Sequence, residues 1–198
     1  FILIFGISKS YSAAVTQIDK QVFDDGDGED LSSFMGDVVF NNDGTKMFTS
    51  YHNNSGNNTD DVINEYTLSV PYDISSATYA GASERCAVTD GEDSSKTKAM
   101  LSFSFSDDGM KIFVAQRGLN GAHNSFVNRL DLTSAYDVST CVYINEINID
   151  TALLQNGSTA GPRVNTGGRN NLQGLDITND GTKMFLTMND RDGNQSVK

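Results

Sequence analysis

Tryptophan is missing from this 198-residue chain, and basic side chains are scarce: 14 Lys and Arg stand against 26 Asp and Glu, a formal net charge of −12. A surface that neutralises phosphates needs a clustered basic excess, so nucleic acid is excluded as a partner, as is a basic face for anionic lipid. Long apolar runs are also lacking. Only Phe1 to Ile7 is continuously apolar, far short of the ~20 residues of a membrane-spanning helix, and no membrane insertion is expected. Two Cys are too few for a disulfide scaffold or a thiolate zinc site. Cys86 and Cys141 leave two readings open: one bridge in an exported chain, or two buried thiols acting as small hydrophobes.

What is present begins with that apolar run. Phe1 to Ile7 is followed by a short polar stretch and small residues at Ser12 and Ala14. Residues 1–14 therefore read as the remnant of a secretory leader, the alternative being a buried edge strand. Residues 15–35 read as the outer strand of a preceding unit plus a loop. The chain stops within a unit, so it is expected to be part of a longer exported protein that is secreted, periplasmic or on the cell surface.

Three segments align without gaps: Val38 to Phe48, Phe103 to Phe113 and Leu175 to Phe185, with their Asp-Gly pairs 65 and 72 residues apart. A second block matches Ile63 to Leu68 with Val127 to Leu132, and Tyr72-Asp73-Ile74-Ser75 with Tyr136-Asp137-Val138-Ser139. Period-2 alternation at Val38/Phe40, Phe103/Phe105 and Leu175/Ile177 predicts strands, each closed by an Asp-Gly turn whose Gly takes φ > 0. Further strands are predicted at 46–51, 62–68 and 77–88, and again at 111–116, 126–132 and 141–149. The third unit adds 183–188. Long helical periodicity is absent.

Four antiparallel strands in each unit define an all-β chain of β-propeller blades, an incomplete ring of about two and a half blades. The blades span 36–98 and 99–171, with the first half of a third over 172–198. The segment Phe105-Ser106-Asp107-Asp108-Gly109-Met110-Lys111-Ile112-Phe113-Val114 and the element from Tyr66 to Ser75 resemble WD-repeat-like and YVTN-type propellers of secreted and surface proteins. That resemblance implies a fold, not an activity. No Trp-Asp pair ends the third strand here, and the units exceed the usual ~40–50 residues.

Propeller connectivity puts the long loops on one face, the usual place for binding residues on a rigid frame. Asp61, Asp93, His123, Arg163 and Arg169 are the candidate ligand residues of that face. Asp25, Asp27 and Glu29 alternate with small residues and are candidate calcium ligands, against the plainer reading of a solvated acidic loop. The repeated Asp43, Asp108 and Asp180 read as turn devices, because an active site is built once and a fold device in every unit. Lys46, Lys111 and Lys183 read as stems covering apolar surface with a wet charge. Tyr72 and Tyr136 read as packing between blades. No G-x-S-x-G or H-E-x-x-H motif occurs, and no catalytic or cofactor-binding residue is assigned.

The expected function is an exported module for protein or glycan binding or adhesion, without catalysis of its own and continued by further blades of the same polypeptide. The alternative is part of a propeller hydrolase or lyase, lactonase-like or glycan-degrading, whose active site lies largely elsewhere.

Overall fold

The computed structural model describes residues 2–6, 16–21, 35–51, 61–88, 98–118, 125–149, 171–178, 180–189 and 195–197. The chain is all-β. A hairpin of β1 (Ile2–Gly6) and β2 (Thr16–Gln21) precedes three antiparallel sheets. The first sheet orders β3 (Met35–Phe40), β4 (Lys46–Tyr51), β5 (Val62–Leu68) and β6 (Ala77–Tyr79), with β7 (Cys86–Ala87) also on β5. The second runs β8 (Lys98–Phe105), β9 (Lys111–Gly118), β10 (Ser125–Asp131), β11 (Val142–Asn148), and the third β12 (Asn171–Ile177), β13 (Met184–Asn189), β14 (Gln195–Val197). Among the described residues the strands close into neither a barrel nor a ring.

The Asp-Gly turns form for local reasons. Gly44, Gly109 and Gly181 have φ of 72°, 66° and 65°, the left-handed region that glycine enters without a Cβ penalty. The carboxylates of Asp43, Asp108 and Asp180 accept the backbone N–H two residues on, from Thr45, Met110 and Thr182, at 3.0, 3.0 and 3.1 Å. A second turn locks the first. Tyr72 and Tyr136 take φ of 60° and 56°, a conformation that costs a non-glycine residue of order 1 kcal/mol. Each is held there by its N–H donating to the Gly44 or Gly109 carbonyl, at 3.0 and 2.9 Å. Each hydroxyl donates to the carbonyl of Asn42 or Asp107, at 2.8 and 3.2 Å. The ring lies flat on the glycine: a Cβ on Gly44 or Gly109 would fall 2.4 Å from it.

Strand alternation then places two apolar rows on opposite sides of each sheet. In the first sheet Met47 joins Tyr66, Leu68 and Ile74 on one side. Phe48 and Ile63 face the second sheet, meeting Phe103, Phe105, Ile112, Val114, Leu130 and Leu132. The other side of the second sheet, through Phe113, Ala115 and Val127, packs on Leu172, Leu175, Ile177 and Met184 of the third. The aligned positions Phe48, Phe113 and Phe185 thus all occupy the side facing onward along the chain.

Hydrogen bonds between sheets repeat in the same way. Asp37 Oδ2 accepts from Phe103 N (3.4 Å) and from Ser102 Oγ (2.7 Å). Ser102, at the position of Asp37 in its own sheet, accepts from Leu175 N at 3.2 Å. Asp61 Oδ2 accepts from Met100 N at 3.0 Å, and the aligned Ser125 Oγ accepts from Leu172 N at 3.2 Å. One side chain at a fixed repeat position therefore hands an acceptor to the first strand of the next sheet.

Two expectations change, and one open alternative closes. The strand expected at 77–88 is two short ones separated by a 3-10 turn at Ala82–Glu84, entered through Gly81 at φ 116°. Lys46 does not keep its charge in water: its ammonium lies 2.6 Å from Glu65 Oε1 and donates to the Tyr136 carbonyl at 2.9 Å. The second sheet's Tyr turn brings that carbonyl within reach. Cys86 and Cys141 form a disulfide, Cα to Cα 5.8 Å, tying the first sheet to the second and closing the alternative of two free thiols. The apolar run at the start of the chain contains a strand, Ile2–Gly6, that pairs antiparallel with Thr16–Gln21. The register of that hairpin shifts between Ile4 and Phe5 and that of β10–β11 between Arg129 and Leu130.

Candidate binding end of the sheets

All sheets share a polarity. The Asp-Gly and Tyr turns sit at one end. At the other end β3, β5, β8, β10 and β12 begin, and β4 and β9 finish. The segments 52–60, 89–97, 119–124 and 150–170 enter and leave at this second end and lie outside the described residues. The turn end has its polar groups committed to capping. The loop end carries a different inventory.

On the side of the second sheet facing the first, a polar band crosses near the loop end. Lys98 opens β8 almost fully buried, ion-paired with Glu146 of β11, its ammonium 4.3 Å from the centroid of the Phe126 ring. A cation on an aromatic face and beside a carboxylate is stabilised by both. Asn128, fully buried, donates through Nδ2 to Gln116 Oε1 at 2.7 Å. Its Oδ1 is buried without a partner among the described residues, and so is that of Asn64 at the aligned position of the first sheet. A buried carbonyl oxygen left open is costly unless water or a ligand group reaches it, so this band is suited to hydrogen-bonding a polar guest.

Of the ligand residues expected from sequence, only Asp61 is described. It is 2% exposed and its carboxylate accepts from Met100 N, so it joins two sheets. The position directly before β5 faces the neighbouring sheet, because the first strand of that sheet needs an acceptor there. Asp93, His123, Arg163 and Arg169 lie outside the described residues, as do the calcium candidates Asp25, Asp27 and Glu29. Among the described residues no three metal-ligating side chains converge. Sequence reasoning missed Lys98, Gln116, Phe126, Asn128 and Glu146. A signal was available for one of them: Asn64 and Asn128 recur at the same position of an otherwise apolar row.

Electrostatics separates the exposed turn carboxyls from a buried one. At the turn end the carboxyls of Asp43, Asp108 and Asp180 are held below the ordinary aspartate range, chiefly by hydroxyls of Thr45, Ser106 and Thr178 donating to them. Glu65, between the first two sheets, moves the other way: burial raises it, against the pull of Lys46. Its Oε2 is buried with no partner among the described residues.

The class defined by these observations is a stack of antiparallel sheets joined by repeated turn and inter-sheet devices. No family model, no curated protein and no solved structure matches the chain.

Proposed function

We propose that the chain is a run of β-propeller blades of the WD-repeat-like or YVTN kind, within an exported protein that binds a protein or glycan at its loop end and has no catalysis of its own. The observation carrying this reading is the polarity of the sheets. The turn end is occupied by repeated capping, while at the loop end, where the connections 52–60, 89–97, 119–124 and 150–170 begin and end, lies a buried polar band with amide oxygens that have no partner among the described residues. The fan of first strands β3, β8 and β12, hydrogen-bonded in order, supports a ring whose further blades belong to the same polypeptide. The disulfide supports an oxidising compartment and hence export.

The net charge of −12 favours a neutral glycan or a basic protein surface over a polyanion. Calorimetry of the chain with neutral oligosaccharides, sulfated oligosaccharides and polylysine tests this. Saturable binding of a neutral sugar or of polylysine, weakened about tenfold or more by Asp93→Ala, His123→Ala or the Arg163/Arg169→Ala pair, is expected. Binding by none of the three probes counts against the module. Turnover of a lactone or a glycoside by the same preparation favours the hydrolase or lyase. Calcium at Asp25, Asp27 and Glu29 belongs to the same proposal, and a calcium titration without heat removes it.

A further inference from the structure

Three arginines fall among the described residues, and two of them have acceptors in place. Arg129 forks onto Asp131, both bonds at 2.7 Å. Arg85 donates through Nε to the Tyr79 hydroxyl at 2.8 Å. Arg117 differs. It is the last residue but one of β9, half-buried, and its Nε is buried without a hydrogen-bond partner among the described residues. Burying part of a guanidinium without an acceptor is unfavourable unless something outside the fold supplies one. The neighbours of Arg117 do not. It lies at the loop end, on the side of the second sheet that packs on the third, opposite Ala99 of β8 and Ser125 of β10. Ala115, Val127 and Leu172 on that side are apolar and buried, and Ser125 Oγ accepts from Leu172 N. The carboxylates Asp61 and Glu146 act on the opposite side of the sheet, with Met100 N and Lys98. The position also departs from the repeat. Its aligned residues are His52 and Asn189, whereas the Asp-Gly pair and the following lysine and phenylalanine recur in all three segments. A device of the fold is built into every unit, and this arginine occurs in one.

We propose that Arg117 is a carboxylate-binding residue of the loop end, its Nη groups donating side by side to the two oxygens of a uronic acid within a glycan. This deepens the reading of the loop end as a binding surface and rests on it. A guanidinium is planar, and its paired donors match a carboxylate, as the fork of Arg129 on Asp131 shows within this chain. A chain of net charge −12 repels a polyanion and an acidic protein face. A single carboxylate on an otherwise neutral sugar brings only one charge, and brings it to a cation without a counter-ion among the described residues.

The probe is a tetrasaccharide carrying one glucuronic acid, compared in calorimetry with its methyl ester, which keeps the shape and removes the charge. The acid is expected to bind the chain about tenfold tighter than the ester. Arg117→Gln should bring the acid down to the affinity of the ester. Arg117→Lys should keep a preference of about threefold, since an ammonium attracts a carboxylate without the fork. Circular dichroism verifies that both variants keep the fold. Equal affinity of acid and ester for the parent chain overturns the inference without any variant, and so does a preference that survives Arg117→Gln. Either result with the ester still bound leaves the loop-end reading standing. Binding of a peptide with one glutamate but of neither sugar overturns the uronic acid and moves the carboxylate to a protein partner. Binding of none of these probes, nor of polylysine, removes both readings.

Discussion

The junction between the first and second sheets and the junction between the second and third use the same repeat positions but are not equally built. The first buries Phe48, Phe103 and Phe105 against Tyr136, carries the Cys86–Cys141 disulfide, and is clasped by Lys46 between Glu65 and the Tyr136 carbonyl. The second packs smaller side chains, Ala115, Val127, Leu172 and Leu175, with serine rather than aspartate accepting from the next sheet's backbone. Even the aligned pair Glu65 and Arg129 diverges. Glu65 is buried against Lys46, while Arg129 turns to Asp131 of its own strand in a two-bond fork, both at 2.7 Å and half-exposed. The backbone devices therefore set where sheets meet, and the side chains at those positions set how strongly.

The comparison predicts an ordered series of losses in urea unfolding. Phe48→Ala should cost most, about 4–5 kcal/mol, because the side chain is 0% exposed with aromatic neighbours too rigid to fill the cavity. Replacing both Cys86 and Cys141 by Ala should cost up to about 4 kcal/mol, given the 55-residue separation they bridge. Leu172→Ala at the second junction should cost about 2–3 kcal/mol, its smaller neighbours closing in more readily. If Leu172→Ala proves as costly as Phe48→Ala, the two junctions are equivalent and the contrast fails.

Smaller effects appear as pH dependence. Asp43, Asp108 and Asp180 are lowered in the folded chain, so their contribution is present above the ordinary aspartate value and is lost as pH falls through their folded values. Glu65 is raised, so its contribution is full below the ordinary glutamate value and is lost as pH rises through its folded value. Urea midpoints followed from strong acid to neutrality should show Glu65→Gln removing the loss on the upward side. Asp108→Asn should soften the loss on the acid side. A Glu65→Gln profile that parallels the parent means burial does not govern this carboxyl.

Much of the turn chemistry was legible in the residues, because an Asp-Gly pair and its flanking hydroxyl interact within a few positions of one another. The strands at Lys46–Tyr51 and Val62–Leu68 were legible for a similar reason, since alternation is a local pattern. The site was far less so. Asp61 reads as an exposed loop acid until the Met100 N–H of the neighbouring sheet is placed against it. Lys98 reads as a solvated strand end until Phe126 and Glu146 surround it.

The sequence by itself determined the all-β class, the turn positions and the spacing of the aligned segments, since each depends on contacts between residues near in the chain. Only the tertiary structure decided that Cys86 meets Cys141, that Lys46 is clasped rather than solvated, and that Phe48 is buried while the aligned Phe185 is exposed. Those outcomes depend on which sheet lies next to which face, and a repeated sequence presents the same face to neighbours it does not itself specify.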